Sequence, residues 1–231
     1  MQDNRYSVRF IENLLPRVGD SCYAHGMSKT IELIASDMGG VLALHSDGNL
    51  EVALLRDFGL SGYTSFAALN PALPLLLQRH SKNEIEEDAM WKEFTQLTGV
   101  HVPQSQSSLW GRYFSPDLDP AMLTTFKALK EEGLRLVCAT NTEPVHYHHH
   151  LKEGHYAIFD RVYASCEMGH AKPEAAFFTH IIEAEQVDPK HILFIDDLEE
   201  NCEAADRLGI HAYLYTDVAD FRWALAGLNL I

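Results

Sequence analysis

The spacing of apolar residues changes along this chain, and each change predicts an element. Ile31-Glu32-Leu33-Ile34-Ala35-Ser36 is a short apolar run that predicts a strand, and it stops at Asp37-Met38-Gly39-Gly40, where two glycines allow a sharp turn. Residues of about 49–110 show no strand-like alternation and read as short helices. Within them Asn83, with Glu86 three residues on, makes a capping-box signal, and Ile85, Ala89, Trp91, Phe94 and Leu97 recur near helical spacing until Gly99. From Asp117 the pattern becomes a helix–strand alternation. Pro120 opens a helix through Met122, Phe126 and Leu129 to Gly133, and Leu134–Ala139 is the next apolar run. A helix over Pro173–Gln186 follows, then a strand over Ile192–Ile195. Leu198, Cys202, Ala205 and Leu208 line a further helix that ends at Gly209, and His211–Tyr215 predicts a last strand.

Such alternation implies right-handed βαβ crossovers. The expected fold is α/β: a three-layer, Rossmann-like parallel sheet with a small inserted helical cap. Residues 1–26 are assigned to an N-terminal extension, 27–46 and 115–231 to the core domain, and 47–114 to the cap. Val8–Leu15 is an amphipathic stretch within the extension, read as either an oligomer contact, which would make a homodimer, or a disordered leader. Met27 is an alternative start.

Composition narrows the class. At 231 residues, 46% of them hydrophobic, the chain can bury a sizeable core, and no stretch approaches the roughly 18 apolar residues of a spanning helix. Arg5, Arg9, Glu12 and Arg17 interrupt the region where a signal peptide would be apolar, so the expected location is the cytoplasm, with no membrane partner. A formal charge of −15 disfavours a nucleic-acid partner. Cys22, Cys138, Cys166 and Cys202 show no CxxC pairing and read as reduced thiols.

Four segments carry candidate chemistry, each at a strand end or a helix start. Asp37 is a carboxylate on a glycine turn. Thr140-Asn141 places a hydroxyl and an amide after an apolar strand. Lys172 precedes a helix start, and Asp196-Asp197 ends a strand with paired carboxylates, hard ligands suited to Mg²⁺. Singly, each reads as well as a helix cap. Their order, each at the carboxyl end of a successive βα unit, points instead to a phosphoryl-transfer site acting on a small-molecule phosphate.

With these residues in place, the sequence resembles the haloacid dehalogenase-like hydrolase superfamily over about Ile31–Tyr215, in its subgroup with a helical cap. The most specific stretch runs from Phe159-Asp160-Arg161-Val162-Tyr163 through Lys172-Pro173-Glu174 to Phe194-Ile195-Asp196-Asp197-Leu198-Glu199-Glu200-Asn201. Thr140-Asn141-Thr142 followed by His146 is similar to sugar-1-phosphate phosphatases and to the phosphatase domain of soluble epoxide hydrolases. The resemblance implies that Asp37 attacks phosphorus and forms an aspartyl-phosphate, and that Thr140 and the Asn141 backbone hold phosphoryl oxygens. It implies further that Lys172 pairs with nucleophile and phosphate, that Asp197, Asp196 and the Gly39 carbonyl bind magnesium with Asp37, and that Asn201 stands behind them.

One position departs from the family pattern. Most of its phosphatases carry a second Asp two residues after the nucleophile, as general acid and base; here that residue is Gly39. A positioned acid contributes typically ~10²–10⁴-fold, so the substitution biases any hydrolysis toward activated phosphates such as anomeric or acyl ones. It also opens three alternatives: a non-catalytic binding protein, a dehalogenase and a phosphonate-cleaving enzyme. Dehalogenation needs no metal, which Asp196-Asp197 argues against. Phosphonate cleavage needs a Schiff-base lysine in the cap, where Lys82 and Lys92 read as solvated charges. The His146–His150 run reads as a surface helix and not a metal site, Glu84–Asp88 as a solvated first turn, and Trp110, Arg112 and Tyr113 as packing residues.

Overall fold

The computed structural model describes residues 31–45 and 50–231. The expectations for residues 1–26, Cys22 and Met27 fall outside the described residues. β1 (Leu33–Ser36) lies at the centre of a five-stranded sheet, flanked by β4 (Arg135–Thr140) and β6 (Ile192–Asp196), with β5 (Arg161–Ala164) and β7 (His211–Leu214) at the edges. Every pairing is parallel. The α/β three-layer expectation therefore holds.

Alternation along each strand explains why the strands read as continuous apolar runs. Leu33 and Ala35 of β1, with Ile192 and Phe194 of β6, enter one core beside Phe177, Phe178 and Ile181 of α8 (Ala175–Glu185) and Ala204 and Ala205 of α9 (Glu199–Asp206). Ile34, Leu193 and Ile195 point the other way, onto Met122, Phe126 and Leu129 of α5 (Pro120–Glu131) and Phe221 and Leu225 of α10 (Val218–Gly227). Both faces are covered, so polar residues are spared only at strand ends.

Several helix termini follow their sequence signals. Asp119 caps α5, accepting from the Ala121 and Met122 amides, with Pro120 as its first residue. The capping box is corrected. α4 (Glu87–Thr98) begins after Glu86, and Asn83 takes a left-handed turn position at φ 58° without capping anything. Gly99, at φ 71°, ends α4 as expected. No sequence expectation covered the short antiparallel pair β2 (Ala43–His45) and β3 (Pro116–Leu118), the edge strand β5, or the terminal helix α10.

α1 (Leu50–Asp57), α2 (Phe66–Leu69), α3 (Leu73–Ser81) and α4 build a helical insert with its own core, where Phe66, Trp91, Phe94 and Trp110 pack ring against ring. Trp110 is thus a packing residue, while Arg112 and Tyr113 both reach Asp57 of α1. Glu87 corrects the expectation of a solvated first turn: its carboxylate accepts from the Trp91 indole and the Trp110 amide. Burial pushes Glu87 up, but these bonds and one from Ser108 outweigh it and hold the carboxyl below its usual range.

Candidate active site

The winding order of the sheet reverses at β1 and β6, where the chain turns from one side of the sheet to the other, and ligand crevices form at such points beyond the carboxyl ends of strands. Ser36 is level with Cys138 of β4 and Ile195 of β6, so Asp37, Thr140 and Asp196-Asp197 emerge along one edge.

Lys172 is the hub. Only 2% exposed, its Nζ lies 3.0 Å from Asp37 Oδ1 and 2.6 Å from Asp196 Oδ2. Burial alone disfavours its charge, yet the two carboxylates outweigh that and raise the ammonium above its usual value. Asp37 Oδ1 also accepts from the Met38 amide at 2.7 Å, which leaves Oδ2 without a protein donor among the described residues. Burial, opposed by Lys172, pushes the Asp37 carboxyl up to about 7 in the metal-free site.

Asp196 is turned inward. It has no exposed surface, and Oδ1 accepts from the Leu198 amide at 2.9 Å and Asn201 Nδ2 at 3.0 Å. Asp197 faces outward, its carboxyl raised by partial burial and by the charge of Asp196. One oxygen from each of Asp37, Asp196 and Asp197 lies within 4.8 Å of the others. Three carboxylates against one ammonium leave a formal deficit of two charges, which one divalent cation balances. Gly40 fits that arrangement. At φ 74° it has a left-handed backbone, and a Cβ there would lie 2.3 Å from Asp197 Oδ2. The turn bonds Gly40 N–H to Ala43 O and uses the Met38 carbonyl twice, while the Gly39 carbonyl accepts none of them. A Cβ on Gly39 would meet nothing within 4 Å.

Thr140 is buried at the end of β4, with Oγ1 3.4 Å from the Asn141 carbonyl. The Asn141 side chain turns away from the ligand side: Nδ2 donates to Lys172 O and Oδ1 accepts from Lys172 N, both at 2.8 Å. Both ends of the amide that the sequence places after this strand are thus engaged within the protein.

Two seams join the helical insert to this edge. In the first, Ser165 Oγ donates to Ser81 O at 2.7 Å and accepts from Thr142 N at 2.9 Å. Beside it Lys82 Nζ lies 2.8 Å from Glu84 and 3.0 Å from Glu174, two residues after Lys172. Lys82 is therefore not a solvated charge, and the hydrogen bonds it donates to Glu84 and Glu174 raise its ammonium, the opposite of what a Schiff-base amine needs. In the second seam His146, on α6 (Pro144–Lys152), stacks 3.7 Å from the Phe114 ring, with Nδ1 2.9 Å from Glu143 and Nε2 3.0 Å from Trp110 O. The expectation of a surface helix is corrected for His146 and His150, which are buried; among the described residues the aspartate trio is the metal-capable cluster, and no histidines join one. Cys138, Cys166 and Cys202 are buried free thiols, and no described helix is long and apolar enough to cross a membrane.

The chain matches known proteins in family and in fold. A family model described as haloacid dehalogenase-like hydrolase matches residues 31–209, and the chain belongs to that family. It is 27% identical over 195 residues to the sesquiterpene phosphatase astK of Aspergillus oryzae, covering 83% of this chain and 93% of that one. To the mouse bifunctional epoxide hydrolase 2 it is 23% identical over 205 residues, 82% of this chain but 37% of that protein. Among solved structures, a family enzyme from Bacteroides thetaiotaomicron, an aspartate-to-alanine variant in complex with magnesium and inorganic phosphate, superposes with a TM-score of 0.61 at 25% identity, covering 80% of this chain and 94% of that one.

Proposed function

We propose that this member of the hydrolase family is a magnesium-dependent phosphatase acting on a small phosphorylated metabolite, such as a sugar phosphate, through an aspartyl-phosphate at Asp37. The single observation that carries the reading is the Asp37–Lys172–Asp196–Asp197 constellation, with its deficit of two charges at the strand-end crevice. The astK and Bacteroides relatives, the latter holding magnesium and phosphate, support it.

In this reading the carboxylates of Asp37 and Asp197 and the Gly39 carbonyl hold magnesium, which supplies neutralisation of phosphoryl charge. Asp196, its oxygens engaged within the protein, serves as the anchor of Lys172. The Met38 amide and Lys172 fix the Asp37 carboxylate, whose oxygen forms a bond to phosphorus as the ester oxygen departs with its electron pair. Lys172, Thr140 and the Asn141 backbone bind the phosphoryl oxygens; water then takes phosphorus from Asp37 and the carboxylate is restored. The helical insert covers the crevice and limits bulk water. With Gly39 offering no acid, turnover favours phosphates whose leaving oxygen is weakly basic.

The test is hydrolysis of p-nitrophenyl phosphate with Mg²⁺ and with EDTA, by wild type and Asp37→Asn. Turnover lost on chelation and on substitution supports the reading; metal-independent turnover, or none in wild type, overturns it.

A further inference from the structure

Asn141 is absorbed by the proposed mechanism only through its backbone, yet its side chain makes the most symmetrical polar contact of the site. Both halves of the amide are used: Nδ2 donates to the Lys172 carbonyl and Oδ1 accepts from the Lys172 amide, each at 2.8 Å. A side-chain amide that pairs with the N–H and C=O of one residue imitates a strand neighbour and fixes that residue's backbone in position and rotation. Asn141 follows β4 directly, so it is held by the sheet, whereas Lys172 lies on the loop between α7 (Ser165–Met168) and α8 with no strand of its own. From this frame the lysine side chain reaches Asp37 at 3.0 Å and Asp196 at 2.6 Å.

We propose that the Asn141 side chain is a positioning residue for Lys172, tying the lysine's loop to the end of β4 so that one ammonium meets both carboxylates. This rests on the phosphatase reading for its kinetic consequence, but not for its structural one. Asn141 touches no reacting atom through its amide; it acts through Lys172. Its removal frees the loop on the β4 side while the Lys82–Glu174 contact still holds it from the insert. A lysine displaced by about 1 Å costs on the order of 10²-fold in rate.

Two measurements test this in full-length protein. The first is a double-mutant cycle on kcat/KM for p-nitrophenyl phosphate with Mg²⁺, using Asn141→Ala and Lys172→Met. If Asn141 acts through Lys172, Asn141→Ala lowers kcat/KM on the order of 10²-fold in wild type but changes it less than about threefold once Lys172 is methionine. A merely structural role would give the same loss in both backgrounds, and that outcome overturns the proposal. The second needs no turnover: acylation of lysines by a succinimidyl ester, resolved by peptide mass spectrometry. Lys172, buried in wild type, should label at least about tenfold faster in Asn141→Ala while the half-exposed Lys130 stays unchanged. Unchanged protection of Lys172 overturns the proposal. Should Asn141→Ala not fold, Asn141→Ser takes its place in both arms. Absence of wild-type turnover would refute the phosphatase reading alone, since the labelling arm still decides the role of Asn141.

Discussion

Replacing Lys172 with methionine removes the charge with a side chain only one atom shorter, so the consequence is chiefly electrostatic. Two carboxylates, Asp37 and Asp196, then face each other across a buried gap that the ammonium had filled at 3.0 and 2.6 Å. Breaking a buried pair by removing one partner costs about 3–5 kcal/mol, and two stranded carboxylates place this case toward the top of that range. For a chain of 231 residues this corresponds to a fall in Tm of roughly 6–20 °C. Protonation limits the loss. The Asp37 carboxyl stands at about 7 with the lysine beside it and rises further without it. A carboxyl raised in the folded state binds protons there that the unfolded chain gives up, so the variant loses stability as pH rises above about 7, more steeply than wild type. The gap between them narrows on acidification by about 1.4 kcal/mol for each unit of extra elevation. Urea unfolding in EDTA at pH 9 and pH 6.5 measures both quantities, and Asp196→Asn added to Lys172→Met should restore part of the loss, because one stranded charge is gone while an oxygen remains for Leu198 N–H and Asn201. A loss below about 1 kcal/mol at pH 9, or an equal loss at both pH values, would show that the lysine is not the counter-ion that holds this site together.

Two further outcomes follow from the same geometry. Gly40→Ala should weaken Mg²⁺ binding at least about tenfold by calorimetry, because its Cβ would sit 2.3 Å from Asp197 Oδ2, and should lower stability by about 1 kcal/mol for the left-handed backbone; unchanged Mg²⁺ affinity would remove Asp197 from the ligand set. In the proposed site Mg²⁺ and protons would compete for Asp37 and Asp197, both raised without a metal, so affinity should fall about tenfold per pH unit below about 7 with release of about one proton, and level above it; a flat profile from pH 5.5 to 8 would contradict this.

What could be read from the chain alone divides along a physical line. Four strands of the central sheet, β1, β4, β6 and β7, were legible as short apolar runs, while β5, which begins on an exposed arginine, was not; the carboxylates stood out against that background, since Asp37 and Asp196 each end such a run. Helix ends at Gly99, Gly133 and Gly209 were legible because each needs positive φ. The β2–β3 pair was not, since three-residue strands carry too few alternations to set a period. Asn83 looked like a cap because a capping box is a spacing, and nothing in a spacing shows that the backbone there turns left-handed instead. Side chains that bind across long separations were invisible for a related reason. Ser165 meets Ser81 across 84 positions and Asn141 meets Lys172 across 31, and neither distance leaves a local pattern. The one local sign was the spacing of Glu143 and His146, which as a helical i,i+3 pair could have marked that histidine as partnered.

These invisible contacts share a location. Ser165 joins the insert's Ser81 to Thr142, Lys82 joins the insert to Glu174, and His146 joins Trp110 and Phe114 to Glu143. The segments they reach, residues 142–143 and Glu174, adjoin Thr140, Asn141 and Lys172. The insert is therefore fastened to these segments, and to α6 and α7 beside them, at the strand-end edge of the core. On the phosphatase reading proposed above, substitutions along either seam should change kcat and KM together.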